Sequence, residues 1–126
     1  MKRVAFYGSL KKGYWNHTRF GVEQDKRHDD GVVTGVMYRS NPGESWYPYL
    51  FEKGTTDPDK EREHVVEVYE IDDDKYNMIR RMEEGSGYHE AKVTINGEEC
   101  YIFYADSHFL NHLTKEHWVE SYSMKP

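Results

Sequence analysis

The spacing of apolar and polar residues divides the chain into short elements. Val4-Ala5-Phe6 is an apolar run that stops at Gly8-Ser9, which predicts a buried strand from Arg3 to Tyr7 ending in a turn. Tyr14 to Phe20 reads as a short helix or helical turn. Glu23 to Asp30 carries seven charged or histidine residues in eight and reads as a solvated loop. Gly31 to Arg39 sets Val33, Gly35 and Met37 against Val32, Thr34, Val36 and Tyr38, the pattern of a strand with at least one buried face. Ser40-Asn41-Pro42-Gly43 is a turn by composition. Trp46-Tyr47-Pro48-Tyr49-Leu50-Phe51 is rich in aromatics, and its proline excludes a central strand, so it is expected at a sheet edge or in a lining loop.

Gly54 to Glu63 is polar and reads as an exposed loop. His64 to Ile71 then alternates as a strand, with Tyr69 and Ile71 inward. Asp72-Asp73-Asp74 opens a helix, because aspartate caps free amides and its charge suits the positive end of the helix dipole. The helix is expected to reach about Met82 or Glu84. Tyr76, Ile79, Met82 and Glu83 then share one face, and Gly85-Ser86-Gly87 ends it. Tyr88 to Ile95 and Glu98 to Ala105 are two strands joined at Asn96-Gly97, a strong hairpin signal. A short helix is expected around Leu110 to Val119, then a frayed tail to Pro126. No repeat, low-complexity stretch or second domain is visible, so residues 1–126 read as one domain with a core from about 3 to 105.

Composition narrows the picture. The chain is 37% hydrophobic and 32% charged, with a mean hydropathy of −0.99. A small core follows, which the 11 tyrosines and 3 tryptophans enlarge. The net charge of −6 argues against nucleic acid as a partner, although Lys11-Lys12 and Arg80-Arg81 are local basic groups. One cysteine, Cys100, permits no internal disulfide and fits a reducing compartment. No apolar run approaches the roughly 20 residues of a membrane span, and the start lacks a signal-peptide core. A soluble, cytoplasmic protein is expected.

Two places carry candidate chemistry. Gly8 can adopt backbone angles closed to other residues and lets a ligand approach the main chain. The amides after it would face an anion or a carbonyl oxygen; an ordinary strand-ending turn accounts for the same residues. Glu83 lies on the apolar helix face, where a carboxylate is costly unless satisfied. Partial burial would raise its pKa toward the range of a useful base. Glu84 is about 100° further round and turns to solvent. On residues alone Glu83 also reads as a partly exposed helix end. His108 and His112 have i, i+4 spacing, but no His-Glu-x-x-His pattern accompanies them, and with His117 they read as a polar surface rather than a metal site. Cys100 reads as a buried structural thiol. Ser9 lacks the Gly-x-Ser-x-Gly elbow of a serine hydrolase.

Tyr7-Gly8-Ser9-Leu10, with Gly13 and then Asn16-His17, resembles the signature of the γ-glutamylcyclotransferase-like (AIG2-like) family. Downstream, Pro48 with Leu50, Val68-Tyr69-Glu70-Ile71, and Ile79 to Glu83 followed by Gly85, Gly87 and Tyr88 resemble further motifs of that family, in order. The resemblance implies an α+β fold: a small, mixed, strongly curved β-sheet or barrel with flanking helices. It implies an enzyme that cyclises the γ-glutamyl group of a γ-glutamyl amine or peptide to 5-oxoproline and releases the amine, with one glutamate as acid/base. Aligning the apolar positions puts that glutamate on Glu83; aligning a Glu-Gly pair puts it on Glu84. The helix-face argument favours Glu83. The turn amides of Gly8, Ser9 and Leu10 would hold the oxyanion and the substrate's α-carboxylate, with hydroxyl contacts from Tyr7, Tyr88 and Tyr104. No metal or organic cofactor is implied, and the partner would be a small γ-glutamyl compound. Exposed aromatics such as Trp118 leave monomer and homodimer both open.

Three positions depart from the family pattern. Arg80 replaces the usual aspartate, Val66 a glycine, and Tyr49 a smaller residue that would leave more room in a pocket. A relative that binds a small anionic or zwitterionic ligand without turnover is the alternative, and a tyrosine-rich protein-interaction module a third.

Overall fold

The apolar run at the N-terminus becomes β1 (Lys2–Phe6), at the heart of one sheet. The other strands are β2 (Lys26–Arg27), β3 (Gly31–Arg39), β4 (Pro48–Glu52), β5 (Arg62–Ile71), β6 (Tyr88–Ile95), β7 (Glu98–Ala105) and β8 (Trp118–Val119); the helices are α1 (Trp15–Arg19) and α2 (Asp73–Gly85). The structure is a computed structural model, and it describes residues 1–41 and 46–122. Pro42 and Gly43 of the expected turn, and the tail from 123 to 126, lie outside the described residues.

The strand order is β4-β3-β5-β1-β7-β6, with β2 added on β5 and β8 on β3. Among the described residues only β1 and β7 run parallel; the remaining pairs are antiparallel. The sheet is mixed and strongly curled, and β5 shows how. Its first half, Arg62 to Val66, pairs with β3, and its second half, Glu67 to Ile71, pairs with β1. One ten-residue strand thus hands over from one neighbour to another midway. The two halves of the sheet meet at an angle along it.

Both faces of the curl are apolar, which explains why so polar a chain folds. Along β1, Ala5 turns inward with Val33, Met37, Leu50, Val68 and Ile102. Val4 and Phe6 turn outward beneath α2. Asp72 caps α2, its carboxylate accepting from the Lys75 amide at 2.8 Å. Tyr76 and Ile79 then bury against Val4, Phe6, Tyr69, Ile71 and Phe103. Burying a side chain such as Ile79 stabilises by roughly 1.5–3 kcal/mol, and Ile79→Ala would cost about 2–5 kcal/mol. Val66, where the family pattern has a glycine, is fully buried in the inner core. Asn96 and Gly97 take positive φ, 52° and 80°, and close the β6–β7 hairpin.

The structure differs from the sequence expectations in three segments. Glu23 to Asp30 is not wholly loop: a 3-10 turn at Val22–Gln24 leads into β2, whose main chain pairs with Tyr69 and Glu70. Its charges still reach water, and Arg27 bonds Asp30 at 2.9 Å. The loop expected to end at Glu63 ends earlier, since β5 begins at Arg62. The helix expected over Leu110 to Val119 is two 3-10 turns, Ser107–Asn111 and Lys115–His117, followed by β8. Thr114 breaks the run by capping a new turn, its hydroxyl accepting from the Glu116 amide at 3.4 Å. Trp118 and Val119 then pair with Tyr38 and Met37 of β3. Trp118 is therefore half-buried, covered by Arg62 at 5.2 Å, and is not an exposed aromatic. Among the described residues no helix is long and apolar enough to cross a membrane.

Candidate functional site

Where β1 leaves the sheet, Tyr7-Gly8-Ser9-Leu10 makes a tight turn, closed by the Lys11 amide donating to the Gly8 carbonyl at 3.0 Å. The amides of Ser9 and Leu10 take no part in that bond. Gly8 does not take a left-handed φ as expected; Gly13 does, at 92°. Gly8 serves closeness instead: a Cβ there would lie 3.0 Å from Cγ of Pro48 and would press on it.

Two buried side chains of α1 brace the turn. Asn16 Nδ2 donates to Ser9 Oγ at 2.7 Å, and His17 Nδ1 lies 2.9 Å from the Leu10 carbonyl. Ser9 thus receives a hydrogen bond and keeps its own proton to donate. From below, the buried carboxylate of Glu67 accepts from the Lys12 amide at 2.7 Å and from the Tyr69 hydroxyl at 2.8 Å. The loop is held at three points before any ligand arrives.

A cavity of about 390 Å3 opens between this turn, α1, the start of β4 and the end of α2. Its size suits a small molecule. Glu83 reaches it from the last turn of α2, beside Met82 and Ser86. The Glu83 carboxyl takes no hydrogen bond from the described residues. Burial among apolar neighbours raises its pKa to about 7. Glu84 is exposed and paired with Arg80 at 3.3 Å, away from the cavity. Arg80 also approaches Glu90 at 3.9 Å, so it belongs to a surface network and does not support Glu83.

The tyrosines divide. The Tyr7 hydroxyl donates to the Phe103 carbonyl at 2.5 Å and that of Tyr88 to the Pro48 carbonyl at 2.8 Å. Both line the cavity. Burial first, and then neighbours that include Glu83, hold both phenols protonated far above their ordinary range. Tyr104, expected among the contacts, does not line the cavity. It alternates with Phe103, which does line the cavity, and packs in the inner core, where burial pushes its pKa up to about 12. Tyr49 does line the cavity, stacked on Phe109 at 4.5 Å between ring centres.

The sequence reading missed Trp15 and Arg19, which reach the wall from α1. Their i, i+4 spacing on a short helix was the available signal. His108 and His112 lie on and just after a 3-10 turn, not on an α-helix face, and His117 bonds Thr114. Among the described residues no three His, Cys, Asp or Glu side chains are grouped to hold a metal ion.

The comparison with known families decides what this arrangement belongs to. A family model described as "Gamma-glutamyl cyclotransferase, AIG2-like" matches residues 4–121. The chain belongs to this family. As an AIG2-like chain it shares its fold with several solved proteins. One is an uncharacterized protein of Pyrococcus horikoshii, 21% identical, at a TM-score of 0.71 over 95% of this chain and 86% of that one. Another is an AIG2-like protein of mouse, 20% identical, at a TM-score of 0.61 over 98% and 88%. A third is an allophanate hydrolase of Kluyveromyces lactis, 15% identical at a TM-score of 0.69, in which the matching region is only 19% of the longer chain. At these identities the likeness is one of fold. No curated protein matches the sequence.

Proposed function

We propose that the protein is a γ-glutamyl cyclotransferase with Glu83 as general acid and base. The observation that carries this reading is a carboxyl with no partner among the described residues, in the same small cavity as a braced turn whose Ser9 and Leu10 amides make no hydrogen bond to the described residues. The substrate's α-amino group would give a proton to Glu83, and its nitrogen would attack the γ-carbonyl carbon. A C–N bond closes the five-membered ring, the C–N bond to the leaving amine breaks, and Glu83 returns the proton to the departing nitrogen. The products are 5-oxoproline and a free amine.

The geometry suits each need of that reaction. Attacking and attacked atoms share one molecule, so the protein has mainly to fold it back on itself. The Ser9 and Leu10 amides and the Ser9 hydroxyl suit the oxyanion and the α-carboxylate. Tyr7 and Tyr88 have committed their protons to main-chain carbonyls, so they offer a substrate only lone pairs. That suits an ammonium group and not an oxyanion. A pKa near 7 lets Glu83 take and return a proton at neutral pH. A single buried thiol, Cys100, fits a cytoplasmic site of action.

The test is incubation with a panel of γ-glutamyl amino acids and amines, with 5-oxoproline measured. Turnover by the wild type, lost in Glu83→Gln with an unchanged circular dichroism spectrum, is expected. Binding of panel members without 5-oxoproline would instead make this a ligand-binding relative.

A further inference from the structure

The cavity wall carries one carboxyl, Glu83, and among the described residues one cation, Arg19. Every other lining group is apolar, aromatic or a neutral hydroxyl or amide. On the cyclotransferase reading, on which this inference rests, the glutamyl half of the substrate is already served. Its amino group meets Glu83 and its carboxylate meets the turn amides. Arg19 is left over.

Arg19 is placed to meet a ligand. It sits one helical turn after Trp15, and its guanidinium lies 5.1 Å from the Trp15 ring centre and 5.3 Å from that of Phe20. Flanked by two rings, it is restricted before binding. No carboxylate of the described residues forms an ion pair with it. Trp15 itself is 57% exposed and Tyr47, on the same wall, 54%. The open end of the cavity is thus an aromatic rim with one positive charge, whereas Glu83 comes from the end of α2. A guanidinium in that setting recognises a carboxylate.

We infer that Arg19 is a specificity-determining residue that binds a carboxylate on the leaving amine. The favoured substrate is then a γ-glutamyl amino acid with an apolar or aromatic side chain, rather than a γ-glutamyl alkylamine. The reacting atoms are untouched by this contact, so its loss should raise KM and leave kcat near its original value.

A matched pair tests it: γ-glutamyl-phenylalanine and γ-glutamyl-phenethylamine, which differ only in the leaving-group carboxylate. Dissociation constants are measured by calorimetry for wild type, Arg19→Gln and Arg19→Lys, and 5-oxoproline is measured in parallel. The wild type should bind the phenylalanine compound about 10-fold tighter. Arg19→Gln should erase that preference while leaving the phenethylamine compound within about 2-fold, and Arg19→Lys should restore part of it. A wild type without preference, or an Arg19→Gln variant that loses both ligands equally or neither, overturns the inference. Absence of 5-oxoproline overturns the cyclotransferase reading alone, since the binding constants still decide the role of Arg19.

Discussion

The Tyr88 hydroxyl lies 2.8 Å from the Pro48 carbonyl oxygen and ties together the two outermost strands of the sheet. β4 and β6 stand at opposite ends of the six-strand order, yet the curl brings their ends within one hydrogen bond. Because both residues line the cavity, the seam is also a cavity wall. Tyr88→Phe should therefore act on both stability and binding. It should lower stability by about 1 kcal/mol, seen as a reduced urea midpoint at unchanged slope. It should also raise KM several-fold for γ-glutamyl compounds. Unchanged binding with reduced stability would show that the seam shapes nothing a ligand touches.

The pH dependence of turnover follows from Glu83. With its pKa raised to about 7 by burial, kcat/KM should climb as pH rises through about 7 and flatten above it. An acid limb near 4.5 would mean that the free enzyme's carboxyl is well solvated.

Two groups, the half-buried Glu83 and the buried His64, also tilt stability with pH, in opposite directions. Glu83 binds its proton more tightly folded than unfolded. Its contribution is present below about 4.3, its unfolded value, and is lost as pH rises to about 7. His64 is 3% exposed, and among the described residues neither ring nitrogen has a partner in good hydrogen-bond geometry. Burial lowers its pKa, the approach of the Gly35 main chain offsets part of that, and the nearby Arg62 charge lowers it further. The unfolded chain therefore binds the His64 proton more readily, and stability is lost as pH falls below about 6.5. Glu83→Gln should raise stability at pH 8, by on the order of 1–2 kcal/mol, with little gain at pH 4. His64→Leu should flatten the loss on acidification between pH 7 and 5. Urea titrations of both variants across that range check the two signs independently.

Gly87 and Gly85 offer a contrast inside three residues. Gly87 has φ of 92°, and a Cβ there would fall 2.3 Å from Cζ of Phe109. Gly87→Ala should cost more than about 2 kcal/mol, from strain and displacement together. Gly85 ends α2 with nothing within 4 Å of its missing Cβ. Gly85→Ala should be neutral or stabilising by up to roughly 1 kcal/mol. Thermal melts of both separate a glycine kept for geometry from one that is merely tolerated.

The sequence carries most of this architecture because its local signals agree with its long-range contacts. The alternation in β3, β5 and β7, the cap at Asp72 and the Asn96-Gly97 turn each suit the sheet they enter. Helix periodicity set Glu83 apart from the solvent-facing Glu84, but on residues alone Glu83 also read as a partly exposed helix end, and the family resemblance was needed to give it a role. The place of Tyr104 was not legible, because β7 is buried on both faces and alternation cannot say which face meets the cavity. Arg19 and Trp15 escaped notice because α1 has five residues, too few for periodicity to reveal a face. β2 and β8 have two residues each and exist only by main-chain pairing with strands distant in sequence, which no local pattern encodes.

Phe109 comes from beyond the core expected over residues 3 to 105. Its ring occupies the space a Gly87 side chain would need and stacks on Tyr49, which lines the cavity. The segment from Ser107 to Val119 is therefore a clasp, fastening the helix end that presents the acid to the strand facing it. A chain cut at the close of β7 would keep every motif of its family and lose the rigidity that makes them a site.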